Sequence, residues 1–242
     1  CADPFPRQAA SLVAAPVVLF TGLETDEAAL ATRTVKKLGG KVVKEWKAAV
    51  THVVTSNKCG PNPRRGEGRF SRRLCGRTIK YCQAVLHGQW IVAAEWIAES
   101  NQLGYLVKED SFEMEGDFTT MDQASGRGAG GPRAGRTSMQ KLFATTTFVL
   151  LGHFNKPTKA EMAKLLQYGG ASVCEELTES RHPGAARPPV VLSQQMPVSD
   201  ELISACVSRG CLPPIESIVI MECISHYQLW PLEKAIAAVT PS

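Results

Sequence analysis

Short apolar runs alternate with amphipathic stretches along this chain, and the alternation predicts strands and helices in turn. Residues 17–22 form an apolar run that ends in glycine, as a buried strand does. Apolar side chains at helical spacing follow, and a glycine pair ends that stretch. The helical positions are Ala31, Val35 and Leu38. Further apolar runs predict strands at 41–43, 51–54 and 90–92, and helices at 77–87 and 94–102.

The second half of the chain repeats this order of elements. Residues 147–152 match 17–22, and the glycine pair 169–170 matches 39–40, both 130 positions further along. Thr158 and Glu161 are spaced as a capping box at the start of the second copy's first helix. Its predicted buried positions are Met162, Leu165 and Leu166, its stop is Gly169, and residues 190–192 form a later strand. The chain is therefore predicted to be two copies of one α/β module, each a parallel sheet with helices on both faces.

Two polar segments divide this repeat into regions. We expect an N-terminal tail at 1–14, a first module at 15–116, a flexible glycine-rich linker at 117–141 and a second module at 142–242. Within the first module, residues 56–76 are predicted to form a mobile basic loop. Its arginines are Arg64, Arg65, Arg69, Arg72 and Arg73.

Composition excludes several classes of protein. Of 242 residues, 44% are hydrophobic and the net charge is only +4, which argues against a wholly disordered chain and against general coating of nucleic acid. No apolar run is long enough to predict a membrane span. Eight scattered cysteines without a Cys-x-x-Cys pair favour a reducing compartment. The chain starts at Cys1, and we expect it to be a piece of a longer protein.

Several of these segments together resemble the BRCT family. They are an apolar strand ending in Thr-Gly, a helix ended by Gly-Gly, a Thr-His-Val-Val strand at 51–54 and Trp96 in the last helix of the copy. The resemblance covers about residues 15–232 and is weaker in the second copy, where Val219 stands at the position of the usual Trp. It implies two BRCT modules, each with a small four-stranded parallel sheet, packed head to tail through helices. It also implies a nuclear phosphoprotein-binding adaptor in the DNA-damage response.

Three residues of the first copy are candidates for a phosphate site. An anion of this kind needs a hydroxyl, an accessible backbone N–H and a cation at one place, with a helix N-terminus adding to the field. Thr21 and Gly22 lie where the first strand ends, and Lys80 lies in the first turn of the 77–87 helix, on the side away from its predicted buried face. The resemblance implies that these positions bind phosphoserine. From periodicity alone, Thr21 merely ends a strand and Lys80 is a solvated lysine.

The resemblance also implies a groove between the modules that binds a residue three places after the phosphoserine. Its predicted residues are Arg77, Cys82, Arg209 and Met221. Cys82 stands where an aromatic residue is usual, Arg209 near a methionine position and Ser217 at an arginine position. A smaller thiol and a charged guanidinium would favour a polar or acidic residue over Phe.

Other motifs have weak contexts. Residues 126–131 satisfy G-x-G-x-x-G, but they follow no predicted strand and precede Pro132, so a dinucleotide loop is not expected. Cys206, Cys211 and His226 do not have the spacing of a zinc site, and His52 is expected to pack within a strand. No nucleophile, base or cofactor motif is recognisable, so no catalysis, metal or cofactor is expected in this segment.

Two alternative functions remain open at this stage. The chain is also consistent with a protein-interaction module that does not recognise phosphate. A third hypothesis is weak DNA contact through the arginines of the basic loop, set against a solvated insertion. If the chain belongs to a longer protein of this family, the resemblance also allows a RING-type ubiquitin ligase domain elsewhere in the parent.

Overall fold

The computed structural model describes residues 15–57, 73–174, 176–177 and 188–240. The first half contains β1 (Val17–Thr21), α1 (Thr25–Lys37), β2 (Lys41–Val43), β3 (His52–Thr55), β4 (Leu74–Cys75), α2 (Ile79–His87), β5 (Trp90–Ala93) and α3 (Glu95–Leu103). A short 3-10 turn, Asp110–Phe112, leads to β6 (Gly116–Asp117) and α4 (Gly131–Thr137). The second half contains β7 (Thr147–Leu150), α5 (Lys159–Tyr168), β8 (Ser172–Cys174), β9 (Val190–Ser193), α6 (Asp200–Ser208), β10 (Ile215–Glu216), α7 (Ile218–His226) and α8 (Trp230–Val239).

Each half is built on a four-stranded parallel sheet, as the alternation of strands and helices predicted. The strand orders are β2-β1-β3-β5 and β10-β9-β7-β8, so β1 and β7 occupy equivalent inner positions. Alternate residues of β1 enter different cores, because successive side chains of a strand point to opposite faces. Leu19 packs on the α2 side of the first sheet, whereas Val18 packs on the side covered by α1 and α3. The predicted α/β class with helices on both faces is confirmed.

Local sequence signals placed most elements within one or two residues. The Thr158 and Glu161 capping box at the start of α5 is confirmed, with both reciprocal bonds formed. Ala31 and Val35 are buried as predicted, while Leu38 caps α1 and is half-buried. Val219 is the second residue of α7, as Trp96 is the second residue of α3, which agrees with their predicted equivalence.

The predicted basic loop at 56–76 does not extend to residue 76 as a loop. Leu74 and Cys75 form β4, are fully buried and pair in parallel with β6. Arg73 is described, and its guanidinium lies 5.8 Å from the centre of the Phe112 ring. The other predicted loop arginines, Arg64, Arg65, Arg69 and Arg72, lie outside the described residues.

The expectation of a flexible glycine-rich linker was wrong. Residues 131–137 form α4, and two of its glycines face neighbouring backbone. A Cβ at Gly131 would overlap the carbonyl oxygen of Ser225, and one at Gly135 would overlap that of Val85. Glycine therefore allows close packing of α4 between α7 and α2 rather than motion. Arg136 fixes the end of α4, with a bidentate ion pair to Glu113 and its guanidinium 3.6 Å from the centre of the Trp90 ring.

The two halves pack through helices, with α2 of the first against α5 and α7 of the second. Side chains of all three helices belong to one apolar core that spans both sheets. At the rim of this contact, the His87 ring lies 4.9 Å from Trp46 and 4.4 Å from Tyr168, so it bridges the two halves. The predicted head-to-tail packing through helices is thus observed.

Candidate phosphate site

The end of β1 presents an exposed stretch of backbone beside a buried hydroxyl. Thr21 is the last residue of the strand and only 8% exposed. Gly22 follows with φ +66°, a left-handed conformation that other residues adopt at a cost, and it is exposed. The Ser56 hydroxyl donates a 2.6 Å hydrogen bond to the Gly22 carbonyl and fixes this turn. A ligand can therefore approach the backbone closely at Gly22.

The N-terminus of α2 meets this strand end through Thr78. The Thr78 hydroxyl oxygen accepts a hydrogen bond from the Tyr81 N–H at 3.1 Å, which makes Thr78 the N-cap. The same hydroxyl lies 2.9 Å from that of Thr21. Two hydroxyls thus stand together where the first free N–H groups of a helix and the positive end of its dipole are found.

Lys80 completes the group. Its ammonium nitrogen donates hydrogen bonds to the carbonyl oxygens of Phe20 and Lys44, each at 3.1 Å. The expectation that Lys80 simply points outward from α2 was wrong in detail. The side chain is half-buried and crosses to the end of β1. Across the described ranges it forms no ion pair, so its charge is not neutralised by a carboxylate there.

This arrangement is suited to an anion with several oxygens. It combines a cation, two hydroxyls, exposed glycine backbone and a helix N-terminus at one strand end. The three residues predicted from sequence, Thr21, Gly22 and Lys80, are brought together. Thr78 was missed, since the predicted helix began at Arg77 and placed Thr78 inside it. The available signal was the preference for Thr at an N-cap, two residues before Lys80.

Two of the four predicted groove residues, Cys82 on α2 and Met221 on α7, lie on helices that pack together across the two halves. Arg77 directly precedes the N-cap, and its Nη1 atom is buried without a hydrogen-bond partner among the described residues. Cys82 and Met221 belong to the shared apolar core, at 0% and 5% exposure. Burial raises the pKa of Cys82 to about 12, against the opposing charge of Arg77, so this thiol is neutral near pH 7. Cys82 and Met221 therefore form the floor of the contact rather than an open wall.

Arg209 does not belong to this group. It is the exposed C-cap of α6, and its guanidinium donates to the Ala205 carbonyl at 3.1 Å. Cys206 of α6 packs with Val149 and Val191, on the face of the second sheet opposite the one that carries α5 and α7. The prediction failed because a gapless register along the chain does not say which face of the sheet a helix covers.

The structure shows where the glycine motif at 126–131 and the histidine His52 lie. The glycines at 126–131 lead into α4, and Pro132 is accepted within its first turn, but no strand directly precedes them. His52 packs as expected, stacked 4.9 Å from Trp96, with its Nε2 atom 3.0 Å from Glu109. In the described ranges no three His, Cys, Asp or Glu residues form a group that could hold a metal ion. No helix in the same ranges is both long and apolar enough to cross a bilayer.

Comparison with known proteins agrees with the fold and the repeat. Residues 16–101 match the BRCA1 C Terminus (BRCT) domain family. The chain is 31% identical over 163 residues to the breast cancer type 1 susceptibility protein homolog of Mus musculus, which covers 66% of this chain and 9% of that protein. It is 37% identical over 122 residues to the Rattus norvegicus homolog, covering 50% of this chain and 6% of that protein. The chain thus spans less than a tenth of the length of these relatives.

Solved structures extend the match to the second half. The BRCT5-BRCT6 domains of S. pombe Brc1 superpose with a TM-score of 0.58 at 10% identity, covering 89% of this chain and 94% of that one. Rtt107p in complex with phosphorylated histone H2A gives 0.56 at 12% identity, covering 91% and 93%. At these identities the likeness establishes the fold alone. The family resemblance predicted from sequence is confirmed: residues 16–101 are a BRCT domain, and the whole chain has the fold of solved tandem BRCT domains.

Proposed function

We propose that this chain is a phosphoserine-peptide adaptor of the DNA-damage response, acting in the nucleus without catalysis of its own. The proposal rests on one observation at the end of β1: the Lys80 ammonium contacts the Phe20 carbonyl, and the hydroxyl of the next residue, Thr21, lies against that of Thr78. Each group suits an oxygen of a phosphate monoester, and the charge-assisted bonds from Lys80 are the strongest of them.

The relatives support a binding role of this kind. Tandem BRCT domains are binding modules, and Rtt107p was solved with phosphorylated histone H2A bound. The named mammalian relatives are breast cancer susceptibility proteins, and this likeness supports DNA-damage proteins as partners. A RING-type ligase domain in a longer parent protein belongs to the same proposal and would lie outside this sequence.

The inter-repeat contact offers a second point of recognition. Arg77 lies one residue before the N-cap that lines the phosphate site, and its Nη1 atom has an unused donor. We propose that the peptide runs from the phosphate site past Arg77, between α2 and α7. Because Cys82 and Met221 lie buried beneath this path, side-chain selectivity there depends on the rim and is expected to be weak for Phe.

The test is a fluorescence-anisotropy titration with peptides chosen from an oriented phosphoserine library, each paired with its unphosphorylated form. The wild-type chain is expected to prefer the phosphorylated form by about a hundredfold, equivalent to roughly 2.7 kcal/mol. Lys80→Met should remove most of this preference. Lys36→Met is the matched control, because Lys36 is an exposed lysine in the last turn of α1. Equal binding of both peptide forms, or an unchanged preference in Lys80→Met, would reject the proposal.

The same titration separates the alternatives. A phosphate-independent interaction module predicts a partner whose affinity does not change on phosphatase treatment. Contact with DNA through the basic loop predicts a gel shift at low salt that is lost when residues 58–72 are deleted. The phosphate site favours the adaptor over both.

A further inference from the structure

A buried carboxylate joins the first half of the chain to the second. Asp117, in β6, is fully buried. Its oxygens accept hydrogen bonds from the backbone N–H groups of Thr119 and Thr120, at 2.9 and 3.2 Å, and from the Thr120 hydroxyl at 3.1 Å. A further donor is the hydroxyl of Ser225, 108 residues away, at 2.5 Å. Four donors satisfy a group that would otherwise be costly to bury.

The strand that holds Asp117 is tied to the start of α2. β6 pairs with β4, and the Phe118 N–H donates to the Cys75 carbonyl at 3.2 Å. Cys75 is only two residues before Arg77 and three before the N-cap Thr78. Asp117 and Arg77 also act in opposite directions on one buried phenol: burial raises the pKa of Tyr81, Asp117 adds to the rise and Arg77 opposes it. Asp117 is therefore fixed relative to the first-repeat side of the proposed peptide path.

Ser225 is equally fixed on the second-repeat side. It is fully buried in α7, one helical turn after Met221. Its side chain donates to Asp117, while its carbonyl oxygen packs so closely on α4 that Gly131 leaves no room for a Cβ. Among the hydrogen bonds of the described residues, this one joins two fully buried side chains from opposite sides of the inter-repeat contact.

We infer that the Asp117–Ser225 hydrogen bond sets the position of α7 against α2, and so aligns the two sides of the path taken by the peptide after its phosphoserine. This inference rests on the proposed function. Asp117 and Ser225 are positioning residues, since both are buried and neither can touch the ligand. Apolar contacts between α2 and α7 are non-directional, whereas a buried hydrogen bond with its strict geometry selects one orientation.

The experiment compares two phosphoserine peptides on the full chain, one ending directly after the phosphoserine and one extending four residues beyond it. Ser225→Ala should weaken the long peptide about tenfold and leave the short one unchanged within about twofold, because the phosphate site remains intact. Ser225→Cys, with a weak donor of similar size, should be intermediate. Ser208→Ala is the control, since Ser208 is an exposed serine in α6. If Ser225→Ala lowered the affinity of both peptides equally, or of neither, the positioning role would be overturned.

Hydrogen exchange followed by mass spectrometry tests the tether without any peptide. In Ser225→Ala, amides of α7 and of residues 117–120 should exchange faster, and those of α6 should not change. Unchanged exchange in α7 overturns the tether, and faster exchange with undiminished binding of the long peptide overturns its role in recognition. If the wild type does not prefer phosphorylated peptides, the proposed function fails, while the exchange result still decides the tether. Asp117→Asn, which removes the charge and keeps one acceptor, provides a second variant if Ser225→Ala does not fold.

Discussion

The two BRCT repeats build the same frame at the end of their first strand, but they place different side chains on it. Gly22 after β1 and Gly152 after β7 both have positive φ, at +66° and +78°. Each neighbouring helix is capped by a hydroxyl that accepts the N–H three residues ahead: Thr78 from Tyr81 at 3.1 Å, and Ser199 at 3.3 Å. The repeat therefore preserves backbone and capping in both copies.

The side chains at the strand end and at the helix start differ between the two repeats. Thr21 corresponds to Leu151, so a hydroxyl is replaced by an apolar group. Lys80, two residues after its N-cap, corresponds to Glu201, two residues after Ser199. Hydrogen bonds from its own backbone N–H and from Ser199 lower the pKa of Glu201, so a negative charge stands where the first repeat has a positive one. We therefore expect the shared frame to provide one phosphate site and not two, because a positive charge at the start of the helix attracts an anion and a negative charge repels it.

The largest expected effect comes from giving the first repeat the charge of the second. Lys80→Glu should lower phosphopeptide affinity by about a hundredfold or more, because attraction at the helix start becomes repulsion. Isothermal titration calorimetry measures the change, with Lys36→Glu as the equal change of charge elsewhere. Affinity within about threefold of the wild type in Lys80→Glu would mean that the ligand binds another surface.

Removing the strand-end hydroxyl should have a smaller effect. Thr21→Val keeps the shape of the side chain and should weaken the phosphopeptide about tenfold, the usual range for one hydrogen bond to a charged group. Thr21→Ser, which retains the hydroxyl, should stay within about threefold of the wild type. If the two variants bound equally, the Thr21 hydroxyl would have no part in recognition.

The two caps separate stability from binding. Thr78→Ala and Ser199→Ala should each lower the free energy of unfolding by about 1 kcal/mol in urea titrations, because each removes a helix N-cap. Only Thr78→Ala should also weaken the phosphopeptide, by a few-fold. If Ser199→Ala weakened the phosphopeptide as much as Thr78→Ala, the two N-caps would not differ in their role in binding.

The smallest expected effect is a pH dependence of stability that arises at the C-terminal end of α2. His87 is half-buried between Trp46 and Tyr168, whereas α6 ends at the exposed Arg209. Burial is the main reason that the pKa of His87 lies below its usual 6.5, and the charge of Lys141 lowers it further. As pH falls below 6.5, His87 is protonated in the unfolded chain before it is protonated in the folded one. The free energy of unfolding therefore decreases between pH 6.5 and the lower pKa that His87 has in the folded chain.

Thermal unfolding at about pH 7.5 and about pH 5.5 checks this expectation. His87→Gln should lose less stability over the interval than the wild type, because it lacks the group that titrates. An identical loss in both proteins would show that His87 does not couple pH to the inter-repeat contact.

Features that depend on neighbouring residues in the chain were predictable from sequence. The strand at 17–21, the Thr-Gly end and the Thr158–Glu161 capping box follow from local patterns, and the structure contains all of them. The approach of Lys80 to β1 was predictable only through the family resemblance, since periodicity alone describes a solvated lysine.

The predictions that failed concern contacts between segments that are distant in the sequence. Glycines at 131 and 135 signal flexibility by composition, yet they permit close contact with the carbonyls of Ser225 and Val85. Arg209 was misplaced because the sequence does not say which face of the sheet α6 covers. The bond between Asp117 and Ser225 spans 108 positions and has no local signal at all.

We expect the first repeat, and not the second, to hold the phosphate. Amide chemical shifts of the 15N-labelled chain, followed during titration with a phosphoserine peptide and with its unphosphorylated form, test it directly. We expect shifts at Thr21, Gly22 and Lys80 with the phosphorylated peptide only, and none at Gly152 or Glu201. Shifts at Gly152 and Glu201, or an equal response of Gly22 to both peptides, would contradict it.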